Sequence, residues 1–235
     1  MKTIEIDCLT YSVKADIYEG DDTSPILLSL IGRTSQRKKR QYVNFFPRLA
    51  NDLGITTIIF DYSGHGESPL NFDDIRPAQH SLEVVTVFDW IKENYPNRKI
   101  FVIGSSYGGY LAARLSNFRR MDGLIFRAPA MYDSDDFYNL LADQVSAATQ
   151  DFRNDRELVN AHPYLRNASE FEGDVLVITH EHDEHIPRVV TDVFKERFDA
   201  KEIIVPNITH SLDDASDEQI EAYNKIIFDW LKAHI

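Results

Sequence analysis

Short apolar runs recur along the chain and alternate with longer segments whose apolar residues fall on one helical face. The runs at 26–31, 55–60 and 123–126 contain almost no polar residue, which is typical of strands buried on both faces of a sheet. Between them, a segment such as 41–53 places apolar residues three and four positions apart, which indicates an amphipathic helix. This alternation predicts an α/β protein with a largely parallel sheet covered by helices.

The same patterns assign the remaining elements. The first two strands are short, and the second alternates partly between apolar and polar residues, so we expect antiparallel pairing at the N-terminal edge. The predicted strands are 4–6, 11–18, 26–31, 55–60, 99–103, 123–126, 175–178 and 202–205. The predicted helices are 41–53, a helix capped by Ser81 and running to 95, 110–115, 137–148, 189–198 and 217–233.

Residues 128–169 interrupt this rhythm. They contain several Asp and Asn residues and Pro163, and they show more apolar surface than a plain connecting loop needs. We interpret the chain as one domain, 1–235, with 128–169 inserted as a small cap above the carboxyl ends of the strands. Three of its apolar residues are candidates for substrate binding: Met131, Phe137 and Tyr138.

Charge and composition narrow the range of functions. The 235 residues are 43% hydrophobic and 27% charged, with a net charge of −13 that opposes binding to nucleic acid or to an anionic membrane. The chain begins without the apolar core of a signal peptide, no apolar run reaches transmembrane length, and Cys8 is the single cysteine. We therefore expect a cytoplasmic protein; its oligomeric state is open, and a homodimer is compatible with the sequence.

The stretch 104–109, Gly-Ser-Ser-Tyr-Gly-Gly, lies between a predicted strand and a predicted helix. Strand, Gly-x-Ser-x-Gly and helix together form the pattern of a nucleophile elbow, in which Ser106 is the candidate nucleophile. Glycines at 104 and 108 leave room for strand and helix to approach each other closely. The turn also directs the backbone N–H of Tyr107 to where an oxyanion would form, beside the helix N-terminus.

Two further candidates follow later strands. A loop after 175–178 contains Asp183, with Glu181 and Glu184 as competing carboxylates, and His210 follows 202–205. Ligands of parallel sheets bind beyond the carboxyl ends of the strands, so these residues should converge. The chemistry is coherent, because an imidazole can deprotonate a serine hydroxyl while a carboxylate orients and stabilises the imidazole.

With these motifs in order, the chain resembles the α/β-hydrolase fold enzymes over nearly its whole length. Residues 61–68 are similar to the Asp-x-x-Gly-His-Gly-x-Ser segment of that family, and 183–187 to its Asp-x-x-Val/Ile-Pro acid segment. The resemblance implies a mostly parallel eight-stranded sheet with helices on both faces and a small cap. It also implies a catalytic triad of Ser106, His210 and Asp183.

Within this family, the size and the short insertion most resemble small carboxylesterases of the cinnamoyl/feruloyl type. The implied activity is hydrolysis of a small-molecule carboxylic ester through an acyl-enzyme, without a cofactor or metal. The same triad serves thioesterases, acyltransferases and small peptidases, so these remain alternatives. A non-catalytic binding protein on a hydrolase fold is the alternative from another class.

One segment departs from the family pattern. Where the family carries His-Gly after its third strand, this chain has Gly32-Arg33, and the resemblance implies that the Arg33 N–H is the second oxyanion donor. The Arg33 side chain also begins a basic run, which is either a solvated face or an attraction for an anionic substrate. That run comprises Arg33, Arg37, Lys38, Lys39 and Arg40.

The loop at 180–185 invites one other interpretation. It contains His180, His182 and His185 together with acidic residues, which are metal-ligand types. Because the triad assignment already accounts for the loop, we consider a metal site the weaker hypothesis and expect no metal.

Overall fold

A computed structural model describes residues 1–33, 40–66, 68, 70–143 and 147–235, with the backbone alone for 40–43. Within these ranges the strands form an eight-stranded sheet in the order β1-β2-β4-β3-β5-β6-β7-β8. The strands are β1 (Lys2–Cys8), β2 (Tyr11–Tyr18), β3 (Ile26–Leu30), β4 (Thr56–Phe60), β5 (Ile100–Ser105), β6 (Gly123–Arg127), β7 (Asp174–His180) and β8 (Lys201–Val205).

The strand pairing follows the sequence prediction. β1 pairs antiparallel with β2, β2 pairs antiparallel with β4, and every other neighbouring pair is parallel. All residues of β3, β4, β5 and β6 are buried, which requires that both faces of the central sheet are covered. The mostly parallel sheet, the antiparallel N-terminal edge and the eight strands are thus confirmed.

The covering helices pack in part against each other, α1 with α7 and α2 with α3. Short 3₁₀ turns lie at Phe72–Asp74, Ser134–Tyr138, Leu141–Asp143, Pro163–Leu165 and Ala168–Glu170. The helices are α1 (Arg40–Leu53), α2 (Pro77–Asn94), α3 (Tyr107–Ser116), α4 (Ala147–Asn154), α5 (Arg156–Ala161), α6 (Arg188–Arg197) and α7 (Asp217–His234).

Two helix predictions are wrong. α2 begins at Pro77 and not after a cap at Ser81, because proline at the first helical position has a fixed φ suited to the helix and lacks only an N–H that would be unpaired there. In the described part of the predicted helix 137–148, 3₁₀ turns precede α4, which begins at Ala147, and residues 144–146 lie outside the described residues. Asn139 is extended and ends the first turn, and the Leu141 N–H donates to the Ile75 carbonyl of a distant segment, so the helix does not continue.

The sheet register aligns the ends of the last four strands. Ser105 lies opposite Arg127, Arg127 opposite Ile178, and His180 opposite Val205. Because these strands are parallel, the loops that follow them leave the same edge of the sheet side by side. This edge is where the candidate residues of the sequence analysis meet.

The closest packing at that edge involves Gly104 and Gly108. A Cβ at Gly104 would lie 2.5 Å from the Gly108 carbonyl oxygen, and one at Gly108 would lie 2.1 Å from that of Leu30. Backbone atoms of β3, β5 and α3 therefore touch without any side chain between them. The two glycines of the Gly-x-Ser-x-Gly pattern are required by this approach.

We predict that Gly108→Ala lowers the free energy of unfolding by about 1–3 kcal/mol or more, because the added methyl meets backbone that cannot move aside. Urea unfolding followed by circular dichroism measures the change. Gly32→Ala is the matched control, since its Cβ would meet neighbours only at 3.5 Å, an ordinary contact. Equal stability losses in the two variants would contradict this account of the elbow.

Candidate active site

Ser106 occupies a strained turn between β5 and α3. Its φ of 50° and ψ of −114° lie in a region that costs a non-glycine residue about 1–3 kcal/mol. The neighbouring strand end holds this conformation, because the Ser106 N–H donates to the Arg127 carbonyl and the Ala130 N–H donates to the Ser106 carbonyl, both at 2.9 Å. The hydroxyl is thereby presented at the sheet edge above the N-terminus of α3.

A continuous hydrogen-bond chain joins the three residues that the sequence singles out. The Ser106 hydroxyl lies 2.9 Å from His210 Nε2, and His210 Nδ1 lies 2.8 Å from Asp183 Oδ2. Since a carboxylate only accepts, the proton lies on Nδ1, and Nε2 is left to accept from the serine. The geometry suits transfer of the serine proton to the imidazole.

The Asp183 carboxylate is fully engaged. Its Oδ1 accepts from the N–H groups of His185 and Ile186 at 2.9 and 2.7 Å, while Oδ2 accepts from His210. Burial favours the neutral acid, but the hydrogen bonds from His210 and from the two backbone N–H groups outweigh it and hold the pKa of Asp183 below its usual range. The carboxylate is therefore ionised at neutral pH.

The two competing carboxylates make different contacts. Glu181 accepts from the Asn207 N–H at 2.9 Å, and Glu184 accepts from the His210 backbone N–H at 3.1 Å. Neither bonds to the imidazole of His210. They tie the loop after β7 to the loop after β8, and so hold Asp183 and His210 at a fixed separation.

The two predicted oxyanion donors, the N–H groups of Tyr107 and Arg33, belong to residues close to Ser106. Tyr107 is the first residue of α3, so its N–H has no partner within the helix and lies at the positive end of the helix dipole. Its buried side chain is fixed separately by a 3.0 Å hydrogen bond between its hydroxyl and His80 Nδ1. In the loop after β3, Gly32 and Arg33 border the same cavity as Ser106.

The Arg33 side chain is turned towards the insertion. Its guanidinium lies 5.1 Å from the centre of the Phe72 ring and donates to the Leu141 carbonyl. The Leu141 N–H in turn donates to the Ile75 carbonyl at 2.8 Å. Arg33 thus links the loop after β3 to the insertion. Of the remaining basic run, Arg37, Lys38 and Lys39 lie outside the described residues, as does the side chain of Arg40.

The cavity beside Ser106 is small, about 70 Å³. Its described lining consists of Gly32, Arg33, Ser105, Ser106, Arg127, Ala128, His210 and Ser211. None of these described lining residues carries a carboxylate side chain.

The three predicted substrate-binding residues are not part of that lining. Met131 is fully buried, and Phe137 packs against the Tyr164 ring and the Arg114 guanidinium. Tyr138 is 71% exposed. Their positions do not support the predicted acyl pocket, because the aromatic residues of the insertion pack on α3 and on one another.

Buried histidines among the described residues are His65, His80, His162 and His180. Burial lowers the pKa of His65 and His162 to about 4 and that of His80 and His180 to about 3, since the charged imidazole would lose its hydration. They are neutral at pH 7 and serve as hydrogen-bonding groups. His65 and His80 both bond to the Ser63 carbonyl, in the turn that includes Gly64 and Gly66.

Several neighbours of the site are not found by sequence reasoning. Arg127, Tyr223 and His80 form hydrogen bonds close to the predicted site residues, yet they lie on a strand end and two helices that carry no motif. The sequence carries a signal for one of these three residues: Arg127 is a charged residue directly after the apolar run 123–126. The described part of the chain contains no cluster of three or more metal-ligating side chains, and none of its helices has the length and apolar character to span a membrane.

Comparison with solved structures places this architecture in a known class. Est1E from Butyrivibrio proteoclasticus with bound ferulic acid superposes with a TM-score of 0.76 at 20% identity, covering 96% of this chain and 98% of that one. An esterase from Pyrococcus furiosus gives 0.67 at 18% identity, covering 99% and 89%. The acylaminoacyl peptidase of Pyrococcus horikoshii gives 0.75 at 12% identity, covering 98% of this chain but 41% of that one.

The fold is therefore that of the α/β hydrolases, as the sequence motifs predict. At the level of sequence, residues 36–202 match the profile of the serine aminopeptidase family S33, and the chain belongs to this hydrolase family. No curated protein matches the chain in a sequence search.

The buried neutral histidines predict a steep acid destabilisation. An unfolded histidine binds its proton near pH 6.5, whereas these bind near 3 to 4, so below pH 6.5 the unfolded chain carries more protons. The free energy of unfolding should fall as the pH drops from about 6.5 towards 4, by about 1.4 kcal/mol per pH unit for each such histidine.

Urea unfolding between pH 7.5 and 5 measures this slope. His162→Asn keeps an acceptor for the Tyr164 N–H and removes one titrating group, so its slope should decrease by about one proton. The same substitution at the exposed His182 is the control and should leave the slope unchanged. A wild-type slope near zero would contradict burial of neutral imidazoles.

Proposed function

We propose that this protein is a serine hydrolase that cleaves a carboxylic ester through an acyl-enzyme. The observation that carries the proposal is the hydrogen-bond chain Ser106–His210–Asp183, assembled on a strained elbow at the carboxyl ends of β5, β7 and β8. Strain of this kind persists only where the surrounding structure enforces it, and it is commonly found at nucleophiles.

The reaction follows from the positions of these groups. His210 Nε2 takes the proton as Ser106 Oγ attacks the ester carbonyl, and Asp183 stabilises the resulting imidazolium. The N–H groups of Tyr107 and Arg33 are the proposed donors to the oxyanion. His210 then protonates the departing alcohol, and a water deprotonated by His210 hydrolyses the acyl-Ser106 ester to release the acid.

The cavity favours an ester over the substrate of an aminopeptidase. An aminopeptidase must hold a positively charged α-amino group, for which carboxylates are complementary. The described lining provides none and includes two arginines instead. Among proteins of the same fold, Est1E is seen with a bound aromatic acid and the Pyrococcus furiosus protein is an esterase, which adds support.

The size of the cavity favours a compact acyl group. At about 70 Å³ it is far below the roughly 300–1,000 Å³ of sites for drug-sized ligands. We therefore choose p-nitrophenyl acetate as the test substrate. A small-molecule ester is the proposed partner.

Ser106→Ala should reduce kcat on p-nitrophenyl acetate by on the order of 10⁴ or more, because it removes the nucleophile and nothing else. Ser116→Ala, at the far end of α3, is the matched control and should retain wild-type turnover. The absorbance of released nitrophenol gives both rates. Turnover by Ser106→Ala close to that of the control would rule out the mechanism.

Asp183→Asn should lose up to about 10⁴-fold in kcat, because an amide favours the wrong tautomer of His210. Glu181→Gln is the comparison, since Glu181 bonds to the Asn207 backbone and not to an imidazole. It should keep most of the activity. If Glu181→Gln were the more damaging change, Asp183 would not be the orienting acid.

A further inference from the structure

Behind the loop that carries His210 lies a buried row of polar side chains that the proposed mechanism does not use. Arg127 ends β6, Tyr223 lies on α7, and His180 ends β7. Their exposed fractions are 8%, 1% and 3%. Burying a cation, a phenol and an imidazole together costs free energy unless each is hydrogen-bonded. We therefore expect the three side chains of the row to bond to one another or to the backbone.

The hydrogen bonds in the row run in one direction. Arg127 Nε lies 3.1 Å from the Tyr223 hydroxyl oxygen and, as a guanidinium, can only donate. The Thr209 carbonyl can only accept, so His180 Nδ1, 2.7 Å away, carries the single proton of the neutral ring. His180 Nε2 then accepts from the Tyr223 hydroxyl at 3.0 Å, and the oxygen of that hydroxyl accepts from Arg127.

The last acceptor in this sequence belongs to the residue before His210. Holding the Thr209 carbonyl fixes the peptide plane between Thr209 and His210, and with it the starting point of the His210 side chain. The His210 N–H is held at the same time by Glu184, so both sides of that peptide unit are anchored. A displacement of about 1 Å at a reacting group can cost on the order of 100-fold in rate.

His180 also lies near the triad carboxylate. Its Nδ1 is 4.0 Å from Asp183 Oδ2, compared with 2.8 Å for His210 Nδ1. A charged His180 would compete with His210 for this carboxylate. Burial and the charge of Arg127 lower the pKa of His180 to about 3, so the ring stays neutral and Asp183 serves His210 alone.

We propose that Arg127, Tyr223 and His180 form a directional hydrogen-bond chain that positions His210 through the Thr209 carbonyl. His180 and Tyr223 are positioning residues, since neither lines the cavity at Ser106, whereas Arg127 lines that cavity and also begins the chain. This inference rests on the proposed esterase function. The hydrogen-bond chain keeps His210 Nε2 within reach of Ser106 during turnover.

Tyr223→Phe is the first test, because it removes one oxygen and interrupts the chain at its centre. We expect kcat on p-nitrophenyl acetate to fall by about 10- to 100-fold with KM nearly unchanged, as positioning affects the chemical step and not substrate binding. Tyr95→Phe is the matched control, since it also loses one tyrosine hydrogen bond, to Glu19, far from the site. It should keep wild-type kcat.

Two variants of His180 separate positioning from general stability. His180→Asn keeps a donor close to the place of Nδ1 and should retain more kcat than His180→Leu, which keeps none. Melting temperatures of all variants are measured alongside. If kcat followed the melting temperature, with no advantage of His180→Asn, the row would be purely structural and the proposal would be overturned.

The tautomer of His180, meaning which ring nitrogen carries the proton, can be measured independently of kcat. Nitrogen-15 spectra of the histidine side chains should show His180 protonated on Nδ1 in the wild-type protein, and the Nε2 form would overturn the stated direction. Wild-type protein without esterase activity would refute the proposed function instead. Active wild-type protein with full kcat in Tyr223→Phe would refute the chain alone.

Discussion

The close approach of three backbone segments around Gly108 is the constraint on which the site depends. The Gly108 Cα lies against the carbonyl of Leu30 at the end of β3, while Gly104 lies against the Gly108 carbonyl across the turn. With no side chain between them, β5 must turn directly into α3. Ser106 then adopts a conformation that an unsupported chain would avoid, and the loop after β3 is brought to the opposite side of its hydroxyl.

A second requirement is that the buried side chains at the carboxyl ends of the strands form hydrogen bonds while their imidazoles stay neutral. Two buried neutral histidines, His80 and His180, meet it, because each bonds through both ring nitrogens. His80 bonds to Tyr107, the residue after Ser106, and His180 bonds to Thr209, the residue before His210. Asp183 is ionised, and two backbone N–H groups and the His210 ring satisfy its carboxylate. With Oδ1 held by the backbone, Oδ2 is directed at His210 Nδ1.

Much of this architecture could be predicted from the sequence, for identifiable reasons. Strands buried on both faces leave uninterrupted apolar runs, and an elbow requires glycines at fixed spacing, so both leave local signals. The convergence of Ser106, Asp183 and His210 then follows from the parallel order of the strands. What was missed depends on contacts between distant segments. The row consists of Arg127, Tyr223 and His180, which lie on β6, α7 and β7. Their spacing along the chain follows no pattern from which the contacts could be predicted.

The side-chain contacts of the insertion, residues 128–169, could not be predicted from the sequence either. The sequence predicts that its aromatic residues face the substrate, but Phe137 packs edge-on against Tyr164, and the Arg114 guanidinium of α3 lies over its ring. Apolar composition says that a side chain will be buried and does not say against what. The Arg33 side chain likewise bonds to Leu141 of the insertion, which depends on the cap conformation and could not be read from the basic run.

The central claim is that the fold activates the hydroxyl of Ser106. Reaction with a fluorophosphonate tests it most directly, because such reagents modify serines that an adjacent base activates. Mass spectrometry of the intact protein and of its peptides locates the adduct. We predict one phosphonyl group, on Ser106, and no labelling in a His210→Ala variant. An unlabelled wild-type protein, or an adduct on another residue, would contradict the account.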